Sequence, residues 1–215
     1  MTGVVSHREE GARAADYSAR LRRYHLTNDD AEHAWQRSRW VADFAVPLTG
    51  ATSLLEIGAN SGRTLQVVAQ RHPAMRLKGI DVNRRAIGAA KRRDFRAEWE
   101  VADVNRWTEP DDGWDAVVSL SVLNWMPDSA ASRLAGHIAC STRNVIAIEL
   151  WDGSAGQRGL YKYSRNTEAL FVEHGFETLV WELSVGQYDE ARSPLWAYVG
   201  RRCQPRPPRN TATVS

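Results

Sequence analysis

A glycine-bearing turn, Glu56-Ile57-Gly58-Ala59-Asn60-Ser61-Gly62, follows the apolar run Ser53-Leu54-Leu55. Gly58 permits backbone conformations and a close ligand approach that a Cβ would block. Gly62 lets the next helix pack close to the strand. Taken alone, this turn suits a nicotinamide site, a flavin site or a purely structural strand-to-helix connection. Two acids narrow the chemistry. Asp81 closes Gly79-Ile80-Asp81, and a carboxylate at the carboxyl end of a strand can accept both ribose hydroxyl protons. Asp103, in Ala102-Asp103-Val104, would stand one strand further out. There it could accept from an adenine 6-amino group, with Val104 against the ring. Each aspartate alone is more commonly a turn former or a cap. The turn and both acids, in order and each on a strand end, form a nucleoside-binding pattern.

Such a pattern needs strands that end on one edge. Ser53–Ile57 reads as a buried strand, 62–71 as a helix, 77–80 as a strand and 84–93 as a helix. Then come a strand at 97–101, a strand at 115–119, a helix at 129–139 and a strand at 144–150, rich in β-branched residues. Helix 166–174 stops at Gly175 in a C-cap position. Strands at 176–183 and 195–200 close the order. Short loops between alternating strands and helices predict a parallel sheet covered on both faces. Right-handed crossovers make it doubly wound, and an open sheet of this kind binds ligands beyond its strands' carboxyl ends.

Before this unit, Thr27 or Asn28 can cap a helix whose first turn holds Asp29 and Asp30. Ala31, Ala34, Trp35, Ser38, Val41, Ala42 and Ala45 share one face, and Pro47 and Gly50 end the helix. The reading divides the chain into an N-terminal helical extension or lid (1–50), a ligand-binding domain (51–203) and a disordered tail (204–215). The tail has three prolines and no large apolar residue before Val214.

At this point the sequence resembles the class I, Rossmann-like S-adenosylmethionine-dependent methyltransferases, over about residues 50–202. Glu56, Gly58, Asn60 and Gly62 match the family's first motif, an acidic residue followed by a glycine-rich turn. Asp81, followed by Val82, matches the ribose-binding acid, and Asp103 with Val104 the adenine-binding acid. Trp114-Asp115-Ala116-Val117-Val118-Ser119-Leu120 resembles the fourth-strand motif. The resemblance implies that backbone carbonyls at Ser119 and Leu120 take the cofactor's amino group. It also implies a doubly wound α/β fold with a seven-stranded, mostly parallel sheet and an antiparallel last strand. The turn Glu-Ile-Gly-Ala-Asn is especially similar to members acting on sugars and other small metabolites.

Departures from the family shape the acceptor reading. Asn124-Trp125-Met126-Pro127 stands where many small-molecule members carry a histidine. There is no Asn/Asp-Pro-Pro-Tyr at this site, which counts against amide or base nitrogen methylation. No cysteine lies near the motifs, which counts against cysteine-mediated carbon methylation of RNA bases.

Methyl transfer from a sulfonium needs in-line positioning and exclusion of water, and a hydroxyl or protonated amine acceptor gains from a base. Glu149, at the end of the fifth strand, and His33 or His25, in the N-terminal part, are the base candidates. Glu149 could equally be a buried, paired carboxylate, and His33 could lie on a solvated face. Trp125, Trp151, Tyr163 and Arg165 are candidate substrate contacts. Trp35, Trp40 and Tyr161 are further aromatic candidates, with Trp35 better placed for core packing. Arg37 and Arg39 could hold a carboxylate.

The charge is balanced, with 28 basic and 26 acidic residues and a net of +2. A basic groove for nucleic acid is therefore not implied. Two isolated cysteines, Cys140 and Cys203, make neither a metal site nor a disulfide framework. No metal is expected, no stretch is long and apolar enough to span a membrane, and a cytoplasmic protein is the default. The expected partner is a small-molecule substrate, and a homodimer stays open. The expected function is methyl transfer to an oxygen or nitrogen of a sugar or specialised metabolite. The alternatives are a methyltransferase acting on RNA or another macromolecule, and a non-catalytic cofactor-binding partner protein. A dinucleotide oxidoreductase is disfavoured because Asn60 replaces the middle glycine of Gly-x-Gly-x-x-Gly.

Overall fold

The structure is a computed structural model that describes residues 32–106, 113–151, 153, 156–158, 162–183 and 195–202. The expected cap at 27–30, His25, Tyr161 and the 204–215 tail lie outside the described residues. The elements run α1 (Glu32–Trp40), a π turn (Val41–Ala45), α2 (Val46–Thr49), β1 (Ser53–Ile57), α3 (Arg63–Arg71), β2 (Arg76–Asp81), α4 (Arg84–Ala90), β3 (Glu98–Val101) and β4 (Trp114–Leu120). A 3-10 turn (Leu123–Trp125), α5 (Asp128–Ser141), β5 (Thr142–Leu150), β6 (Gly156–Arg158), β7 (Lys162–Ser164), α6 (Thr167–Glu173), β8 (Phe176–Leu183) and β9 (Leu195–Arg202) follow.

Seven strands form one sheet in the order β3-β2-β1-β4-β5-β9-β8. The pairs among β1 to β5 are parallel, whereas β9 runs antiparallel to both β5 and β8. This is the doubly wound, mostly parallel sheet with an antiparallel last strand that the sequence predicts. Strand order reverses between β1 and β4, which sets the binding crevice at their carboxyl ends. Register aligns that edge: Ile57 pairs with Ile80 on one side and with Ser119 on the other.

The central strands are apolar on both faces because both are covered. Leu55, Val117 and Val145 turn to one side, where they pack with Leu134 and Ile138 of α5. Their neighbours Leu54, Val118 and Ile146 turn to the other, with Leu65 and Val68 of α3 and Val41 and Ala45 of the π turn. Successive strand residues point to opposite faces, so two cores share one sheet.

Two local readings are corrected. Pro47 does not end the N-terminal helical run but lies inside α2. The run widens to a π turn first, with the Val46 amide donating to the Val41 carbonyl, and Pro47 falls in the first turn of α2, where its missing N–H is tolerated. Gly50, at φ 63°, makes the actual stop. The second helix also ends at Ala90, three residues early. The β6–β7 hairpin is an addition without any periodic signal, since each strand has only three residues. Elsewhere, side-chain caps set helix starts: Asn83 Oδ1 accepts from the Arg85 and Ala86 amides, and Asn166 Oδ1 from the Ala169 amide.

Candidate cofactor and acceptor site

The turn after β1 needs its glycine. Gly58 sits at φ 66°, and a Cβ there would stand 2.4 Å from Val122 Cγ2. Asn60 also adopts a positive φ, 50°. The Ala59 amide donates to the Ile80 carbonyl at 2.9 Å, and the Asn60 amide donates to Asp81 Oδ2 at 2.8 Å. Asp81 Oδ1 accepts from the Asn83 amide at 2.7 Å. The acid therefore ties the β1 turn to the end of β2. Each oxygen keeps a second lone pair, which is the capacity that two ribose hydroxyls would require. Burial pushes the Asp81 carboxyl up, against the pull of the Asn83 and Asn60 amides. Val82 beside it is 46% exposed on the rim.

Beneath the turn lies a residue that the sequence reading passed over. Trp99 of β3 fills the space above two glycines: a Cβ on Gly62 or on Gly79 would each come within 2.4 Å of its ring. Paired glycines at facing positions signal a bulky partner, but not which residue supplies it. Asp103, beyond β3, accepts at Oδ1 from the amide and the side-chain nitrogen of Asn105. It thus shapes its own turn, and Val104 packs at the edge of the core.

Glu56 at the end of β1 is buried, and burial pushes its carboxyl up to about 8 against the Thr64 hydroxyl, Arg63 and the Leu65 amide. Its Oε2 and Asn60 Oδ1 are buried acceptors with no hydrogen-bond partner among the described residues. Two orphaned acceptors at one turn suit a cationic or N–H-bearing ligand. A cation placed against Glu56 would also lower its pKa.

α1 lies against this wall. Ser38 Oγ meets Thr64 Oγ1 at 3.1 Å and accepts from Arg63 Nε at 3.2 Å. Arg37, only 4% exposed, donates from Nη1 to Ser121 Oγ at 3.1 Å. His33 is held below the usual imidazole range by burial and then by the Arg37 and Arg63 charges. Arg39 pairs with Glu32 in solvent.

The loop after β4 forms the opposite wall. The Ser121 amide donates to the Ile148 carbonyl at 2.8 Å, and Ser121 then takes φ 57°. Glu149 reaches under the following residues. Its Oε1 accepts from Ser119 Oγ at 3.2 Å and from the Val122 and Leu123 amides at 3.0 and 3.1 Å. Its Oε2 accepts from the Asn124 amide at 3.2 Å. Glu149 is 1% exposed, with both carboxylate oxygens engaged by the post-β4 loop. Arg165, also buried, donates to the Met126 carbonyl and lies 3.4 Å from Asp128. It grips the same loop further along. Trp125 and Tyr163 are half-buried nearby, on the 3-10 turn and on β7. The Trp151 carbonyl accepts from Trp196 Nε1 at 3.1 Å.

Among the described residues no group of three or more His, Cys, Asp or Glu side chains is placed to hold a metal. Likewise, no helix there is long and apolar enough to cross a membrane.

Known proteins resemble this chain in sequence over the domain's first half and in fold. Residues 54–144 match the family model described as a methyltransferase domain. A trans-aconitate 2-methyltransferase of Variovorax paradoxus (strain S110) is 26% identical over 107 residues, which cover 50% of this chain and 41% of that protein. The chain thus matches about half the length of its curated relatives or less. The magnesium protoporphyrin IX methyltransferase of Synechocystis PCC 6803, solved with S-adenosylmethionine bound, superposes with a TM-score of 0.68 at 16% identity. That alignment covers 94% of this chain and 100% of that one. The [4+2]-cyclase SpnF superposes with a TM-score of 0.65 at 18% identity, covering 79% of this chain and 81% of that one.

Proposed function

We propose that this chain, a member of the class I S-adenosylmethionine-dependent methyltransferase family, methylates an oxygen or nitrogen of a small molecule such as a sugar or specialised metabolite. The observation that carries the reading is the aligned sheet edge. There Asp81 keeps acceptor capacity beside the Gly58–Gly62 turn, and buried acceptors on Glu56 and Asn60 stand without partners among the described residues. Asp81 would hold the ribose, Asp103 with Val104 the adenine, and the Ser119 and Leu120 carbonyls with Glu56 the amino group. Val82 would cover the adenosine from the rim.

S-adenosylmethionine, when bound there, would supply an electrophilic methyl on a sulfonium, which an acceptor lone pair could attack in line with S-adenosylhomocysteine as the leaving group. The chain's own residues position and desolvate. Trp125, Trp151, Tyr163 and Arg165 belong to the acceptor side. Among the described residues His33 is the base candidate: with its pKa lowered by burial and the neighbouring guanidinium charges, it can take a proton from a hydroxyl. The relatives named for trans-aconitate make a small carboxylate the first acceptor to try. An ester-forming acceptor of that kind is already ionised and needs no base.

Fold alone does not establish methyl transfer, and a cyclase among the structural neighbours favours testing a non-transferring reading. Calorimetric titration with S-adenosylmethionine, S-adenosylhomocysteine and NAD decides the first step. Both adenosyl compounds should bind, and NAD binding alone would end this reading. Turnover with small carboxylates, sugars and RNA decides the second, read as S-adenosylhomocysteine release. Transfer to RNA alone would favour the macromolecular alternative, and tight binding without turnover the partner-protein one.

A further inference from the structure

We propose that Glu149 is the positioning residue for the loop after β4, fixing the backbone that meets both cofactor and acceptor. The inference rests on the methyltransferase reading above and gives its buried acid a specific task. Three consecutive amides, from Val122, Leu123 and Asn124, converge on one carboxylate within 3.0 to 3.2 Å. Such a run of N–H groups is an anion nest. The same amides open the 3-10 turn, where a helix start leaves its donors unsatisfied. Val122, at the cap position, makes no side-chain cap bond. The missing cap comes from the neighbouring strand.

What Glu149 holds reaches the site from two sides. Val122 Cγ2 occupies the space that a side chain on Gly58 would need. Ser121, one residue earlier, is the acceptor for Arg37 of α1. Ser121 also carries a left-handed φ that an L-residue keeps only when its surroundings enforce it. The glycine turn, the N-terminal helix and β5 are thus coupled through residues 121–124. In-line displacement is sensitive to shifts of about 1 Å, so loosening this clamp should reach the chemistry without any contact to substrate.

The clamp works only as an ionised acceptor. A proton on either oxygen would put an O–H against an amide N–H or force a donor away. Among the described residues, Arg165 and Tyr198 interact with it electrostatically. Arg165 favours the carboxylate, while burial outweighs the hydrogen bonds and pushes Glu149 up to about 7.

The test is Glu149→Gln, with Glu149→Asp as a second variant that keeps the charge. Glu149→Gln should stay folded by circular dichroism and bind S-adenosylhomocysteine about tenfold more weakly. The wild type should lose affinity on the acid side of about pH 7, and Glu149→Gln should lack that fall. Amide exchange at residues 122–124, compared at one pH without ligand, should accelerate in both variants and less in Glu149→Asp. Wild-type affinity with unchanged exchange in folded Glu149→Gln overturns the proposal. If Glu149→Gln does not fold, unchanged exchange at 122–124 in Glu149→Asp overturns it. If the wild type binds no adenosyl compound, the functional reading fails. The exchange result then still decides whether Glu149 holds the loop.

Discussion

Asp81 already serves the fold, and the proposed function gives the same carboxylate a ligand. Its two amide bonds fix the β1 turn against the end of β2, and each oxygen keeps further acceptor capacity. Asp81→Ala should weaken S-adenosylhomocysteine binding by about 1–3 kcal/mol, the scale of hydrogen bonds to a charged group. Calorimetry on the folded variant checks this, and unchanged affinity would remove Asp81 from the ribose role. Gly58 carries two constraints that can be separated. Gly58→Ala meets both a positive φ and Val122 Cγ2. The expected loss is about 1–3 kcal/mol of stability. Adding Val122→Ala should restore the part due to crowding but not the part due to φ, a comparison that a double-mutant cycle of urea unfolding resolves. Glu56 predicts a pH slope. Its carboxyl is near 4.5 unfolded and about 8 folded, so between those values the folded state binds the extra proton. Stability is then fully present in acid and lost as pH rises toward 8. Glu56→Gln should flatten that fall by up to about 1.4 kcal/mol per pH unit, read from denaturant midpoints across the window.

At the scale of elements, periodicity made most of the architecture legible before any coordinates. Leu54-Leu55 and Val117-Val118 announce strands buried on both faces, and Ala34, Ser38, Val41, Ala42 and Ala45 do become the buried face of the N-terminal run. What stayed hidden depends on partners far apart in sequence. No local pattern says that Arg37, three residues past Ala34, is buried because Ser121 receives it, 84 positions away. Nor does any pattern say that Glu149 faces three amides rather than a substrate. Trp99 was invisible for the same reason, since Gly62 and Gly79 reveal a space but not its occupant. The Arg37 contact makes a prediction for α1. Arg37→Ala should leave the seven-stranded sheet intact while freeing α1 from the post-β4 loop. We expect a stability loss of about 1–3 kcal/mol, with amide protection falling in 32–45 and at Ser121 but not in β1 or β2. Uniform loss of protection across the sheet would count against a local latch.

For the whole molecule, topology explains why the proposed cofactor edge has a sequence signature and the acceptor side has none. The switch point between β1 and β4 gathers four carboxyl ends, and the proposed contacts lie in their last residues or the turns beyond: Gly58–Gly62, Asp81, Asp103 and Ser119–Leu120. Those positions follow from strand order, which alternation in the sequence predicts. The acceptor side proposed above draws instead on α1, the 3-10 turn and the β6–β7 hairpin, segments whose placement no topological rule dictates. A ligand seated on the common edge touches segments from opposite halves of the sheet, so its binding should stabilise the domain as one unit. At a concentration of about 100 times Kd, S-adenosylhomocysteine should add about 2.7 kcal/mol. For a chain of this size that corresponds to a rise in Tm of about 5–10 °C. NAD at the same concentration should produce no rise, and Asp81→Ala should reduce the adenosyl-dependent rise. An equal rise with NAD would mean that the edge recognises adenine dinucleotides in general, and Asn60 in place of a middle glycine would then have lost its discriminating value.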